Sequence, residues 1–121
     1  MGKVKVAIAT IGSTGLGDEV ADVFAKAKTF TLATIEGNKI HVEVIKNPAA
    51  TLPHGRGRMV VQMLRDRGVD TVVASEFGLG ALALLEQGKI NRVVVRAGTR
   101  VSDVIRDELY KKRMGSLGRF R

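Results

Sequence analysis

The sequence predicts an α/β domain built on a mixed, mostly parallel, five-stranded sheet with helices on both faces. Two apolar segments that flank a tight turn indicate a β-hairpin, and elsewhere strand-like segments alternate with helix-like ones. At 121 residues the chain is long enough for one hydrophobic core and too short for two. Right-handed crossovers leave few ways to wind the predicted order β-α-β-β-α-β-α-β-α into one sheet.

The first strand is predicted over residues 4–10, where Val4, Val6 and Ile8 alternate with smaller or polar residues. A glycine-rich turn, GSTGLGDE, follows this strand. Apolar residues then recur at helical spacing between residues 20 and 27, and Asp18 or a nearby Ser or Thr is available as the N-cap. We therefore expect a helix directly after the first strand.

The hairpin is the clearest local signal in the chain. Residues 29–35 and 40–45 are predicted to be strands on either side of the turn Glu36-Gly37-Asn38-Lys39. In the second strand Ile40, Val42 and Val44 share one face, whereas Lys39, His41 and Glu43 share the other. We therefore expect His41 to face solvent.

The second half of the chain is predicted to continue with alternating helices and strands. An apolar stripe over residues 59–64 indicates a helix that Gly68 can terminate. The following segments are a buried strand (DTVVAS), an apolar helix ending at Gly88 (FGLGALALLEQG), another buried strand (RVVVR) and a final helix that starts near Thr99 or Ser102.

The net charge of +8 first suggests a polyanion partner such as nucleic acid. Five of the cations follow the last acidic residue, Glu108: Lys111, Lys112, Arg113, Arg119 and Arg121. Without them the chain has a charge near +3, with both signs mixed along it. We therefore predict a single domain over residues 1–109 and a basic tail over residues 110–121.

The chain has no cysteine, which excludes disulfides, thiolate metal sites, self-ligated iron–sulfur clusters and a cysteine nucleophile. No apolar run approaches the length of a membrane span, and no signal-peptide pattern precedes the first strand, so the expected location is the cytoplasm. Many Lys and Arg beside sparse Gln and no Cys would suit a thermophile.

Candidate binding residues lie in loops that follow strands, because ligands of such sheets usually bind beyond the carboxyl ends of the parallel strands. Each loop leads into a helix start, whose free N–H groups favour an anion, although glycines there equally permit plain tight turns. The candidate residues are Thr10, Gly12, Ser13, Asn47, His54, Gly55, Arg56, Gly57, Ser75, Glu76 and Gly78.

Other kinds of site find little support. GSTGLG has the spacing G-x-x-G-x-G, which is neither a dinucleotide fingerprint nor a phosphate loop. His41 and His54 lack the spacing of metal ligands. Glu76 is a lone acid that can serve as a base, cap the next helix or pair with an arginine. No catalytic constellation is evident, so the chain is expected to bind rather than to catalyse.

Five segments in this order resemble the dinitrogenase iron–molybdenum cofactor family, the small NifX- and NafY-like carrier proteins of nitrogenase assembly and the related C-terminal domain of NifB. They are VAIAT, VADVFAKAKTFTL, NPAATLPHGRG, RGVDTVVASEFGLGAL and AGTRVSDVI. The resemblance implies a ribonuclease H-like fold and non-covalent carriage of an iron–sulfur or iron–molybdenum cluster, or its precursor, among cofactor-assembly proteins. It also implies that His54 is a metal ligand.

The chain departs from the family at two places. The glycine that is common in the family where Ser75 or Glu76 stands is replaced here. The family commonly has a His-Phe-Gly triplet whose histidine is a candidate cluster ligand, and the matching residues here are Val23, Phe24 and Ala25, with Val23 expected in the core.

His54 is then the only histidine at a family-matching position. Two interpretations of His54 remain open: it contacts a ligand, or it hydrogen-bonds the backbone to fix its loop. Asn47, which precedes Pro48, is likewise either a turn-former whose amide caps backbone groups or a ligand contact, and the turn-former is the commoner case.

Three functions follow from these observations. The first is a cluster carrier, or a diverged protein that binds a small anion on the same fold. The second is a nucleic-acid or polyanion-binding module that uses the basic tail. The third is an enzyme acting on a small anion with Glu76 or His54 as the base.

Overall fold

The computed structural model describes residues 2–118, with side chains up to residue 109. Its strands and α-helices, in chain order, are β1 (Lys3–Thr10), β2 (Thr29–Glu36), β3 (Lys39–Lys46), α1 (Arg56–Asp66), β4 (Thr71–Ala74), α2 (Leu79–Gln87), β5 (Asn91–Val94) and α3 (Val101–Gly118). The predicted hairpin is confirmed: β2 and β3 flank Gly37 and Asn38, and Gly37 adopts a φ of 61°. The side chains of the predicted basic tail lie outside the described residues.

The five strands form one mixed sheet in the order β3-β2-β1-β4-β5. β1 pairs with β2, and β2 with β3, in antiparallel register, whereas β1–β4 and β4–β5 are parallel. Four strands therefore run in one direction and β2 runs in the opposite direction. Two of the four strand pairings are antiparallel and two are parallel. The predicted α/β class and mixed sheet are confirmed, and the ribonuclease H-like label stays an implication of the resemblance.

Helices cover both faces of the sheet, as predicted. Residues 60, 61 and 64 of α1 and residues 81 and 85 of α2 pack with Ala7, Leu32 and Val72 on one face. Val101, Val104 and Ile105 of α3 pack on the other face. Strand residues alternate between the two clusters, as the twofold repeat of a strand requires. No helix of the described residues has the length and apolarity that crossing a membrane requires.

The helix predicted over residues 20–27 is not formed, and this prediction is wrong. The segment is mostly extended, with one short 3-10 helix at Phe24–Lys26, and another 3-10 helix at Gly15–Gly17 precedes it. Its backbone bonds to other parts of the chain: Ala21 N–H donates to the Ala9 carbonyl, and Phe24 N–H donates to the Glu76 carbonyl. Because these long-range partners satisfy the backbone, tertiary contacts override the helical spacing of the apolar residues.

β5 was expected to be buried, and this prediction is also wrong. It is an edge strand, and the side chain of Val94 is 57% exposed. A run of valines indicates a strand buried on both faces, but it does not show whether helices reach the end of the sheet where that strand lies.

Candidate functional site

The carboxyl edge of β1, β4 and β5 is crossed by the extended segment after β1. Glu76 N–H donates to the Asp22 carbonyl, and Ser75 N–H lies 3.4 Å from the Ala21 carbonyl. The backbones of the predicted site residues Ser75 and Glu76 therefore hold this segment in place, while the Glu76 side chain is exposed. The segment closes the edge of the sheet and brings residues 23–26 beside the loop that precedes α1.

A cavity of about 410 Å³ lies where this segment meets the starts of α1 and α2. We call it the His54 cavity. Its volume is within the usual range for small-ligand sites. Its walls are three stretches of chain: Val23, Ala25 and Lys26; residues 53–58; and Gly78, Gly80, Ala81 and Leu84. The structure thus brings together five of the predicted site residues, namely His54, Gly55, Arg56, Gly57 and Gly78.

Two helices begin at the His54 cavity, and neither has a side-chain cap. The N-caps are Gly55 for α1 and Gly78 for α2. Gly55 adopts a φ of 75°, a left-handed conformation that favours glycine. A Cβ built on Gly57 would lie 3.5 Å from Ala81, so the first turns of the two helices are in close contact. Uncapped first turns present free N–H groups and a partial positive charge to the same cavity.

The side chains around the His54 cavity add further positive charge. Lys26, Arg56 and Arg58 line it, and its lining contains no Asp or Glu. The Arg56 guanidinium donates a hydrogen bond to the Leu52 carbonyl and so holds the loop against the start of α1. Lys26 and Arg58 are exposed, and the ion pair of Arg106 with Asp103 lies elsewhere. The cavity is therefore suited to an anion.

His54 lies on the rim of this cavity with an exposed side chain. Within the described part of the chain, its imidazole has no hydrogen-bond partner. Of the two interpretations left open by the sequence, a histidine that fixes its loop by bonding the backbone is therefore not what this geometry shows. Both ring nitrogens are free to meet a ligand, and contact with one stays a prediction.

Asn47 instead anchors the loop that carries His54. Its side-chain amide donates to the carbonyls of Ala25 and Ala27 at 3.0 and 2.8 Å. Its side-chain oxygen accepts from the Ala49 N–H at 2.9 Å, in the Asx-turn pattern. Asn47 is 6% exposed, so all of these bonds lie inside the protein. Asn47 thus acts as a turn-former that joins the start of the His54 loop to the segment that carries Lys26.

The remaining predicted residues, Thr10, Gly12 and Ser13, lie farther along the same edge. The Thr10 hydroxyl is fully buried, 2.6 Å from the Thr29 hydroxyl and 3.1 Å from that of Thr31. Gly12 N–H donates to the Asp18 carboxylate. Gly12 and Ser13, with Asn47, line a separate hollow of about 590 Å³, and Thr10 lines a third of about 490 Å³ that shares Val23 and Lys26 with the His54 cavity. The predicted residues therefore divide among neighbouring hollows.

The predicted site residues do not include eight of the thirteen residues that line the cavity, among them Val23 and Lys26. Val23 was expected in the core, but it is half-buried and lines the His54 cavity, which corrects that expectation. Lys26 had no distinguishing pattern around it. The available signal was the resemblance itself, because the family has its second histidine at the position of Val23.

The described residues hold no cluster of three or more His, Cys, Asp or Glu side chains that could bind a metal ion. A bare metal ion therefore has no cage in this part of the chain. The fold and the site together define a small α/β binding domain with an anion-receptive cavity at the carboxyl edge of its sheet.

Comparison with known proteins places this domain in a family. The family model described as dinitrogenase iron-molybdenum cofactor matches residues 3–110, and the chain belongs to that family. A candidate NifB protein from Thermotoga, solved by NMR, is 32% identical over 91% of this chain and 90% of its own, with a TM-score of 0.71.

Two further structures share the fold. The apo form of the orange protein from Desulfovibrio gigas is 24% identical over 87% of this chain and 86% of its own, with a TM-score of 0.78. A candidate dinitrogenase from Methanocaldococcus jannaschii is 18% identical over 89% of this chain and 93% of its own, with a TM-score of 0.60. No match was found among curated proteins.

Proposed function

We propose that this protein binds and carries an anionic iron–sulfur or iron–molybdenum cluster, or its precursor, in the His54 cavity. The observation that carries the proposal is that two uncapped helix starts, three cations and a free imidazole line one cavity whose lining has no acidic side chain. Metalloclusters with sulfide are anionic, and free N–H groups with nearby cations stabilise such charge. Membership of the iron–molybdenum cofactor family points to the same cargo.

The composition of the chain fits a carrier rather than an assembly site. Without cysteine the protein cannot supply thiolates to build a cluster, so the cluster must arrive assembled from a cofactor-assembly protein. In the proposed complex the His54 imidazole coordinates a metal atom at the surface of the cluster. Lys26 and Arg58 neutralise its charge, and Val23 and Leu84 shield it from water. Carriage needs no further chemistry, and we propose no catalytic step.

The first test is the replacement of His54 by alanine. We expect His54→Ala to weaken binding of isolated iron–molybdenum cofactor at least about tenfold, because a metal–nitrogen bond is lost while the charged walls remain. Binding is measured by anaerobic titration, following the charge-transfer absorption of the cluster and its electron paramagnetic resonance signal.

Two controls sharpen this test. Thr51→Ala changes an exposed residue of the same loop outside the His54 cavity and should leave the affinity unchanged. Added imidazole should restore the spectrum of the His54→Ala complex by taking the vacated coordination position. An affinity and a spectrum that are the same in the parent protein and His54→Ala would contradict coordination by His54.

The second test adds an imidazole. Val23→His places a second histidine on the wall of the same cavity, and Val23 is half-buried there without a polar role. We expect tighter binding, by about tenfold, because a second ligand from a preorganised wall adds a bond at little extra entropic cost. The measurement is the same titration with Val23→Gln, which has a polar side chain of similar size but no imidazole, as the control. No gain in affinity for Val23→His would show that the walls are too far apart for joint coordination.

The same cavity also suits a small oxyanion, which its charge and free N–H groups would bind without a metal bond. The two cargoes differ in their dependence on His54. Phosphate or molybdate held by charge should bind His54→Ala about as well as the parent protein and should be lost in Arg58→Glu, whereas Arg67→Glu, at the other end of α1, should keep it. Calorimetric titration of the three variants separates a cluster carrier from a protein that binds small anions.

A further inference from the structure

The outer edge of β3 is an unpaired strand edge. β3 lies at one end of the sheet and pairs only with β2 among the described strands. With eight residues, Lys39–Lys46, it is twice as long as the other edge strand, β5. A long edge presents a row of free N–H and C=O groups that another strand can join.

The register of the sheet shows which groups point outward. The Asn47 N–H donates to the Lys28 carbonyl at 3.0 Å, which makes this pair one of the hydrogen-bonded pairs between β2 and β3. Such pairs recur at every second residue in an antiparallel ladder. Residues 39, 41, 43 and 45 therefore bond to β2, and the N–H and C=O groups of Ile40, Val42 and Val44 point away from the sheet.

Side chains on both faces of this edge are at least partly exposed. On one face His41 and Glu43 are exposed. On the other face Ile40 is 41% exposed, and Val42 and Val44 are half-buried. The edge is thus an apolar row backed by one basic and one acidic side chain, two residues apart.

We propose that a second copy of this chain pairs with β3 in antiparallel register centred on Val42, which extends the sheet across two protomers. In this register Ile40 lies opposite Val44 of the second copy, and Val42 lies opposite its own symmetry mate. His41 lies opposite Glu43 of the second copy, and the twofold axis repeats this pair. Cross-strand pairs of β-branched residues stabilise sheets, and an imidazole N–H of His41 can donate a hydrogen bond to the Glu43 carboxylate of the second copy.

Neighbouring registers are less favourable. A shift by two residues in one direction places Glu43 opposite Glu43 of the second copy, which repels. A shift in the other direction shortens the paired region from residues 39–45 to residues 39–43 and places His41 opposite its own mate. In the Val42-centred register Lys39 and Lys46 do not lie opposite each other. These two lysines at the ends of β3 therefore disfavour indiscriminate addition of strands to this edge without preventing this pairing of two protomers.

The association is tested by sedimentation equilibrium of the parent protein up to about 0.5 mM, at which a pair with a Kd of about 0.1 mM is largely dimeric. Val42→Pro removes an outward N–H without touching the ladder to β2, and we expect it to weaken dimerisation at least tenfold. Val42→Thr keeps both the β-branched shape and the N–H and should dimerise like the parent. A parent protein that stays monomeric throughout, or a Val42→Pro variant that dimerises equally well, would overturn the proposal.

The register is tested by cross-linking, for which the cysteine-free chain is well suited. His41→Cys and Glu43→Cys proteins are mixed under mild oxidation. In the proposed register residue 41 of one protomer lies directly opposite residue 43 of the other, in a non-hydrogen-bonded pair that is close enough for a disulfide. In two copies of the same variant the two thiols are instead displaced by two residues along the strands. We expect the mixed disulfide to form in several-fold excess over either homodimer in mass spectra, and equal yields of all three products would contradict the Val42-centred register.

Discussion

Phe24→Ala is expected to lower the free energy of unfolding by about 3–5 kcal/mol, the range for deleting a large buried side chain. Phe24 is fully buried and packs edge-on against Phe30, with ring centroids 5.6 Å apart, and against Phe77 at 5.0 Å. Phe24 lies in the extended segment after β1, and its chain neighbours Val23 and Ala25 both line the His54 cavity. Its loss should therefore loosen that wall as well as the core.

The effect of Phe24 is measured by chemical denaturation, with Phe24→Leu as the matched control. Leucine fills much of the same space, so its cost should be about 1–2 kcal/mol, and the difference reports the cavity and the lost ring contacts. A loss below about 1.5 kcal/mol for Phe24→Ala would mean that the segment over residues 20–28 is not held by this ring.

Asn47→Ala is expected to cost about 2–4 kcal/mol of stability and to weaken cargo binding in the His54 cavity. The substitution removes the two donors to Ala25 and Ala27 and leaves the buried Ala49 N–H without its acceptor. Buried groups that lose a partner keep their full desolvation cost. Because two of these bonds join the loop that carries His54 to the segment that carries Lys26, this loop should lose its fixed position too.

Denaturation curves and the anaerobic titration are both run on Asn47→Ala. Asn91→Ala is the control: Asn91 is exposed at the start of β5, and its substitution should change stability by less than about 0.5 kcal/mol. If Asn47→Ala unfolds like the parent but binds no cargo, Asn47 is a ligand contact and its anchoring role is wrong.

Most of the fold was predictable because most of its elements are specified by local patterns. The hairpin followed from alternating apolar residues around a Gly-Asn turn, and α1 ends as expected, with Gly68 at a φ of 78° just beyond it. These features depend on neighbours in the chain, which a sequence displays directly.

The two failures have a common cause. The segment over residues 20–27 has apolar residues at helical spacing, yet Val20 bridges to Thr10 and Val23 to Glu76. β5 has the valines of a buried strand, yet it lies at an end of the sheet. In both cases partners distant in sequence decided the outcome, and no local pattern reports where such partners lie.

The candidate site was partly predictable. Chain order placed the loops at the ligand-prone edge of the sheet, and the composition of NPAATLPHGRG singled out His54. Asn47 before Pro48 indicated a turn-former, and its amide does bond backbone groups, whereas the sequence left both interpretations of His54 open. Hydrogen-bond partners of a loop side chain depend on the segment folded against it.

By itself, the sequence determined the α/β class, the hairpin, the absence of thiolate chemistry and the family. The tertiary structure alone decided that Val23, Lys26 and His54 line one cavity, that two uncapped helices begin there, and that β3 lies at one end of the sheet. The reason is physical: propensity and periodicity act between near neighbours in the chain, whereas a binding cavity is formed by segments that only the completed packing brings together.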